Sequence, residues 1–217
     1  MWMTMIQIEN TEVTGLKASI RGMRNPMNSW AQSDSHYAEY PDDDVYCVGE
    51  KDLDLMNRLV SAGTDHSKFM RMIMVSSDIT APLYWWKEYD TYKVGTVANS
   101  CSTMHKIAAK RFELDDFSHD KMHDSTMNIL EIVVNNLNYA RDMYLNADPE
   151  HKKSYWWQMI QLLPSSYNQK RTIMLNYAVL RNIYHARRNH KLDEWYRLCE
   201  WIEELPYSEL ITVQKGD

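Results

Sequence analysis

Residues 125–146 carry Leu130, Val133, Val134, Leu137, Arg141 and Tyr144 at three- and four-residue intervals, which predicts one long helix with a single, mostly apolar stripe. Such a stripe has to be buried against another element, so the chain must build a packed, helix-bearing core. Asp148-Pro149-Glu150 opens a second helix that reaches about Leu163 and is broken by Pro164. Further helices are expected over 16–23, ended by Asn25-Pro26, and after Gly49. The latter puts Leu53, Met56, Leu59 and Val60 on one face and Glu50, Asp52 and Asp54 at its positive end, with Gly63 as the stop. Two more are predicted, over 172–188 and over 193–204, the last with Trp195, Cys199 and Ile202 as its apolar side and Pro206 closing it.

The strand signal is thinner. Residues 1–13 alternate loosely through Met3, Met5, Ile6 and Ile8, and 69–75 are apolar on both faces apart from Arg71, as a buried strand would be. Residues 112–117 read as extended or turn, and the polar, acidic stretch 33–44, interrupted by Pro41, as a surface loop. Two or three strands and five or six helices give an α+β fold in which helices dominate, expected as one domain over residues 1–217.

A net charge of −6 argues against a broad nucleic-acid surface. No apolar run approaches the roughly 20 residues of a membrane span, and Met1–Met5 lacks the basic head and long apolar run of a secretory signal. The three cysteines, Cys47, Cys101 and Cys199, are far apart and form no C-x-x-C pair, which fits free thiols in a reducing, cytoplasmic setting without a cysteine zinc site. Eight Trp and fourteen Tyr stand beside three Phe, and rings with a polar tip suit cores, subunit interfaces and base-stacking pockets alike.

Candidate chemistry concentrates in residues 79–106. Thr80 and Pro82 predict a helix start, Tyr84, Trp85 and Trp86 follow, and Gly95 with a Thr/Asn/Ser run predicts a polar loop that leaves the helix past Lys93 and reaches Ser102. A helix that delivers a hydroxyl-rich loop with a cation at the junction can hold a phosphate or nucleotide; the aromatics serve equally well as core. Cys101, near Lys93 and His105, reads more simply as a small buried residue than as a reactive thiol. His119 and His123 are four apart among Asp116, Asp120 and Asp124 but lack a third ligand at a telling spacing, so no metal site is expected. No phosphate-loop, dinucleotide or serine-nucleophile motif is present. Arg181, Arg187, Arg188, His190, Lys191 and Arg197 cluster around a helix end, where the dipole favours cations and where a guanidinium could also grip a ligand oxygen.

The order of these pieces resembles the flavin-dependent thymidylate synthase (ThyX) family. Leu163-Pro164, Asn176 thirteen residues after the Leu, Arg187 eleven further and Arg197 ten beyond keep that family's C-terminal spacing, with Ala186 in place of a Leu. The family's R-H-R signature and its S-x-R-Y loop correspond here to Thr91-Tyr92-Lys93 and to Ser102-Thr103-Met104-His105. Asp65-His66 is similar to the family's Glu-His near the flavin. The resemblance implies a small antiparallel sheet with packed helices, a homotetramer with sites shared between subunits, FAD as cofactor, and Arg187 on a uracil ring. Only Lys93 keeps a cation of R-H-R, and Met104 stands where an arginine holds phosphate.

Two functions follow. In the favoured one the chain is a non-catalytic binder of a nucleotide-type ligand in a pocket at or near subunit interfaces, sequestering a nucleotide signal or metabolite in the manner of viral counter-defence proteins. Its contacts would be His66, Tyr84, Trp85, Trp86, Lys93, Ser102, Asn176 and Arg187. In the other it is an active synthase that methylates dUMP with FAD, NADPH and methylene-tetrahydrofolate.

Overall fold

The structure, a computed structural model, describes residues 6–39 and 45–214; positions 1–5 of the expected first strand and 40–44 of the expected loop lie outside the described residues. In order come β1 (Gln7–Thr14), α1 (Leu16–Arg24), β2 (His36–Tyr37), β3 (Tyr46–Cys47), α2 (Glu50–Ser61), β4 (Met74–Pro82), α3 (Leu83–Tyr89) and β5 (Thr96–Ser100). They are followed by α4 (Asp124–Asn146), α5 (Pro149–Leu162), β6 (Asn168–Asn176), α6 (Tyr177–Arg187), α7 (Asp193–Glu203) and α8 (Glu209–Thr212). The architecture is the expected helix-rich α+β, with a small antiparallel sheet of order β1-β4-β6-β5 and a separate β2-β3 pair.

Four expectations shift. Residues 68–72 coil into a 3-10 turn, and the strand begins at Met74 and runs on to Pro82. In β4, Val75, Ser77, Ile79 and Ala81 are buried while Met74, Ser76, Asp78 and Thr80 are half-buried. That alternation overrides the local helix start at Thr80, and α3 begins only after Pro82. Residues 96–100 are a strand, not a loop. Residues 172–176, expected as the start of a helix, finish β6: Ile173 and Leu175 are buried, Thr172 and Met174 are not, and the helix waits for its cap at Asn176.

By compactness the chain divides into two units. One comprises residues 1–7, 78–91 and 99–172. Its core gathers Leu130, Val134, Leu137 and Ala140 of α4 with Met159 of α5 and Ile107, Phe112 and Phe117 of the preceding loop. Asn138, buried within α4, spans the loop backbone: Phe112 N–H donates to its Oδ1 and its Nδ2 donates to the Phe112 carbonyl, both at 2.9 Å. Helix α3 has no side-chain cap; Leu83 and Tyr84 N–H donate instead to the carbonyls of Tyr167 and Ser165, at 3.0 Å each.

The other unit comprises residues 8–77, 92–98 and 173–217. Asp52 of α2 is wholly buried beside Arg24 of α1, with Arg24 Nε 2.6 Å from Asp52 Oδ1. Its other oxygen, Oδ2, accepts from the hydroxyls of Ser33 and Ser35, at 2.6 Å each, and from the N–H groups of Asp34 and Ser35. Asp34 in turn accepts from the Lys51 and Asp52 N–H groups at the start of α2. The described part of the acidic stretch is therefore a surface hairpin laced to a buried carboxylate, with His36 paired to Cys47 and Tyr37 to Tyr46.

Burial by itself would raise the Asp52 pKa, but the Ser33 and Ser35 hydroxyls and Arg24 outweigh it and hold the carboxyl below its ordinary value. A carboxylate whose folded pKa is depressed contributes stability above its unfolded pKa, about 3.9, and that contribution is lost as pH falls through the lower folded value. Asp52→Asn leaves Arg24 buried without its counter-charge and should cost about 3–5 kcal/mol at pH 7 in urea unfolding. The variant should also lose stability less steeply than the wild type below about pH 4.

Candidate functional site

In the first unit, the loop that follows β5 is tied down at three points. Cys101 N–H donates to the Lys170 carbonyl at 2.9 Å, Gln169 Nε2 donates to the Cys101 carbonyl at 2.8 Å, and Trp156 Nε1 of α5 donates to the Met104 carbonyl at 2.9 Å. Inside the loop, His105 N–H donates to Ser102 Oγ at 2.9 Å, which occupies a lone pair and leaves the hydroxyl proton to donate elsewhere. Ser102 and Thr103 open on a cleft of about 370 Å³ that also takes in Lys110, Tyr167, Asn168 and Lys170. Lys170 Nζ sits 3.4 Å from Asp78 Oδ2, and the Lys110 ammonium bonds Asp116, which raises its pKa and keeps it charged. Asp115 and Asp116 line the same hollow, so hydroxyls, amides and two lysines already paired with carboxylates surround it, a polar lining suited to a hydroxyl-bearing ligand.

The aromatic run of the same unit sits elsewhere. Trp85 and Trp86 are 0% exposed, packed edge-on with centroids 4.9 Å apart, and Tyr89 stacks on Trp85 at 5.3 Å. Trp86 Nε1 donates to the Gln169 carbonyl at 2.9 Å, and the Arg171 guanidinium lies 4.2 Å from its ring centroid. These rings are core, and they present no face on which a base could stack; Tyr84, beside them, is half-buried.

In the second unit, Asn176 caps α6 by accepting from Val179 N–H at 3.1 Å. The segment ahead of β5 lies along that helix. Gly95 (φ 76°) comes so near its start that a Cβ would stand 3.1 Å from Asn176 Nδ2 and 3.2 Å from Val179 Cγ2, and only glycine adopts this backbone at this distance without strain. At the helix's far end, Arg187 Nε donates to the Tyr92 hydroxyl at 2.8 Å. The guanidinium lies 5.4 Å from the Tyr92 centroid and 4.8 Å from that of Trp195. Lys93, next in sequence, is exposed and has no ion-pair partner among the described residues. His66 is exposed on a separate cleft of about 1270 Å³, floored by Met23, Leu55, Phe69 and Met72 and edged by Lys51, Arg58 and Lys68.

Asn176 and Arg187 thus stand at opposite ends of one helix, Tyr92 beside Lys93 bonds the latter end, Ser102 opens on its own cleft, and His66 on another. The rest of the basic cluster divides: Arg181 is buried and donates to the Leu210 carbonyl at 3.0 Å, while Arg197 lies 3.5 Å from Glu200. His119 is not on a helix; its Nδ1 lies 2.8 Å from the Phe117 carbonyl oxygen, and no group of metal-binding side chains forms among the described residues. The contacts of Tyr92, Trp156 and Lys170 join distant parts of the chain and leave no mark in the local sequence.

No protein-family profile matches the chain, and no curated protein is detectably similar to it. The fold does have solved counterparts. Flavin-dependent thymidylate synthase ThyX from Helicobacter pylori, complexed with FAD and dUMP, superposes with a TM-score of 0.66 over 95% of this chain and 98% of that one, at 17% identity. A second structure of Helicobacter pylori ThyX with FAD and dUMP gives a TM-score of 0.64 at 16% identity, with 95% and 97% covered. The chain has the ThyX fold. Among the described residues no helix is long and apolar enough to cross a membrane.

Trp156→Phe removes the one indole donor that holds Met104. It should cost about 1 kcal/mol of global stability and raise amide exchange selectively across residues 101–106, read by hydrogen–deuterium exchange mass spectrometry.

Proposed function

We propose that this chain binds a nucleotide-type small molecule and does not turn it over. The observation that carries this is the cleft in which the Ser102 hydroxyl, polarised by His105 N–H, opens beside Lys110 and Lys170. Such a site takes a phosphate or sugar, with the lysines exchanging intramolecular carboxylates for the ligand's charge. In the second unit, Arg187, on the helix that Asn176 caps, and the exposed Lys93 are cations apart from this cleft. The two structures sharing the fold were solved with dUMP and FAD, which supports a nucleotide as the class of ligand. Thr91 and Met104, standing where the family resembled here carries arginines, take away charge-assisted hydrogen bonds worth about 1.5–3 kcal/mol each, which favours retention over catalysis. A protein of this kind sequesters a nucleotide signal or metabolite, and the same resemblance extends to a homotetramer with pockets at subunit contacts.

The second cleft gives a specific reason to keep an enzymatic alternative. Its apolar floor and its volume of about 1270 Å³ have room for a flavin beside His66, and Lys51 and Lys68 could meet an anionic group, although Glu50, Asp54 and Asp65 share the lining and Arg58 already lies 2.9 Å from Asp54. Flavin bound there would supply hydride chemistry; Lys51 and Lys68 would hold its anionic part and His66 would border the ring.

The purified chain decides between the two. A binder should be colourless, should carry or take up a nucleotide identified by mass spectrometry, and should show no dUMP-dependent NADPH oxidation when FAD and methylene-tetrahydrofolate are supplied. Lys170→Ala should then weaken that nucleotide about ten-fold, as the loss of one charge-assisted contact implies. A yellow protein that oxidises NADPH when dUMP is added is the synthase. A chain that binds neither nucleotides nor flavin refutes both readings.

A further inference from the structure

Two lysines line the cleft beside Ser102, yet both are committed. The Lys110 ammonium bonds Asp116, and Lys170 Nζ lies 3.4 Å from Asp78 Oδ2. Asp115 lines the same hollow, exposed and with no hydrogen-bond or ion-pair partner among the described residues. Lys110 and Lys170 are thus set against Asp78, Asp115 and Asp116, so an entering phosphate meets a surplus of negative charge.

What the cleft leaves open is a set of uncharged donors and one unengaged carboxylate. Asn168 Oδ1 accepts from the Ser118 hydroxyl at 2.8 Å, which orients the amide and leaves its Nδ2 to donate. The Tyr167 ring packs edge-on against Phe112 and Phe117, at centroid distances of 6.4 and 5.6 Å. Burial, with Asp116 close by, pushes the Tyr167 pKa up and keeps its hydroxyl protonated. The Ser102 hydroxyl also has a proton to give, since His105 N–H occupies a lone pair. Asp115 itself stands on a fixed backbone. In the 3-10 turn Leu114–Asp116, Glu113 N–H donates to Asp116 Oδ2 at 3.0 Å and Asp116 N–H to the Glu113 carbonyl at 3.1 Å, while Leu114 packs on the core.

We propose that, of phosphate and sugar, this cleft takes the sugar: a ribose whose adjacent hydroxyls donate to the two oxygens of Asp115 while Asn168 and Tyr167 donate to the ribose oxygens; this rests on the nucleotide-binding reading above. A carboxylate carries two acceptors side by side, which matches a vicinal diol, and each hydrogen bond to it is charge-assisted. A phosphate dianion has no proton to offer it. The ligand class is therefore a ribonucleotide. A deoxyribonucleotide, with the same base and phosphate but one hydroxyl of the pair missing, leaves an acceptor unmet in the cleft and is discriminated against.

Calorimetric titration of the full-length chain compares UMP, CMP, AMP and GMP, each with its deoxy counterpart, and free ribose. The tightest ribonucleotide should exceed its deoxy counterpart about ten-fold, the worth of one hydrogen bond to a charged group. In Asp115→Ala that ratio should fall to about one, while the thermal midpoint of this exposed-site variant stays within about 2 °C of the wild type. Equal affinity for the ribo and deoxy forms, or a ratio that survives in Asp115→Ala, overturns the inference and leaves the nucleotide reading standing. Free ribose binding as tightly as the best ribonucleotide overturns the assignment to a nucleotide's sugar. Failure of the wild-type chain to bind any of the nucleotides overturns both the inference and the reading it rests on.

Discussion

The peptide at Asn176 ends a strand and begins a helix in a single residue. Its side chain accepts from Val179 N–H, satisfying a donor that the first helical turn cannot satisfy itself, and this is what halts β6 and launches α6 in the direction it takes. The neighbourhood of Arg187 in the second unit is aligned by that junction. Gly95 rests against it, the segment from Tyr92 takes its bearing from it, and Arg187 lies at the far end of the eleven-residue helix it starts.

The sequence disclosed the helices better than the sheet, for a physical reason. Residues 124–146 carry a mostly apolar stripe and residues 149–162 a proline at their start, both local signals, and their bounds fall within a residue or two of those expected. β6 carries Lys170, Arg171 and Thr172 in its middle, and its strand character lies in the alternation of Ile173 and Leu175, which is too short to compete with the helical pattern that follows. β5 is Thr-Val-Ala-Asn-Ser, exposed at four of its five positions, and it becomes a strand because β6 offers it an edge to pair with. Tertiary pairing of this kind leaves little mark on the residues themselves.

The candidate sites were legible in type more than in arrangement. Ser102 does stand in a hydroxyl-bearing loop beside a cleft, and Asn176 and Arg187 do share a helix, since spacing along one chain constrains both. Trp85 and Trp86 went to the core because α3 is only seven residues long and must bury its large faces where it packs. The partnership of Tyr92 with Arg187 joins residues ninety-five positions apart, a distance at which composition and periodicity say nothing. A fold shared with ThyX at 17% identity shows the same limit from outside: a backbone plan persists through wholesale replacement of the groups hung on it.

The Arg24–Asp52 pair has a further consequence for how such a chain can drift. The two residues lie 28 positions apart and each neutralises the other where water cannot. A change at either locus alone strands an ion in the interior, whereas an apolar couple of matching volume could replace both. Lineages descending from this sequence therefore have to cross that point in a double step, and among its descendants the two sites should mutate together or not at all.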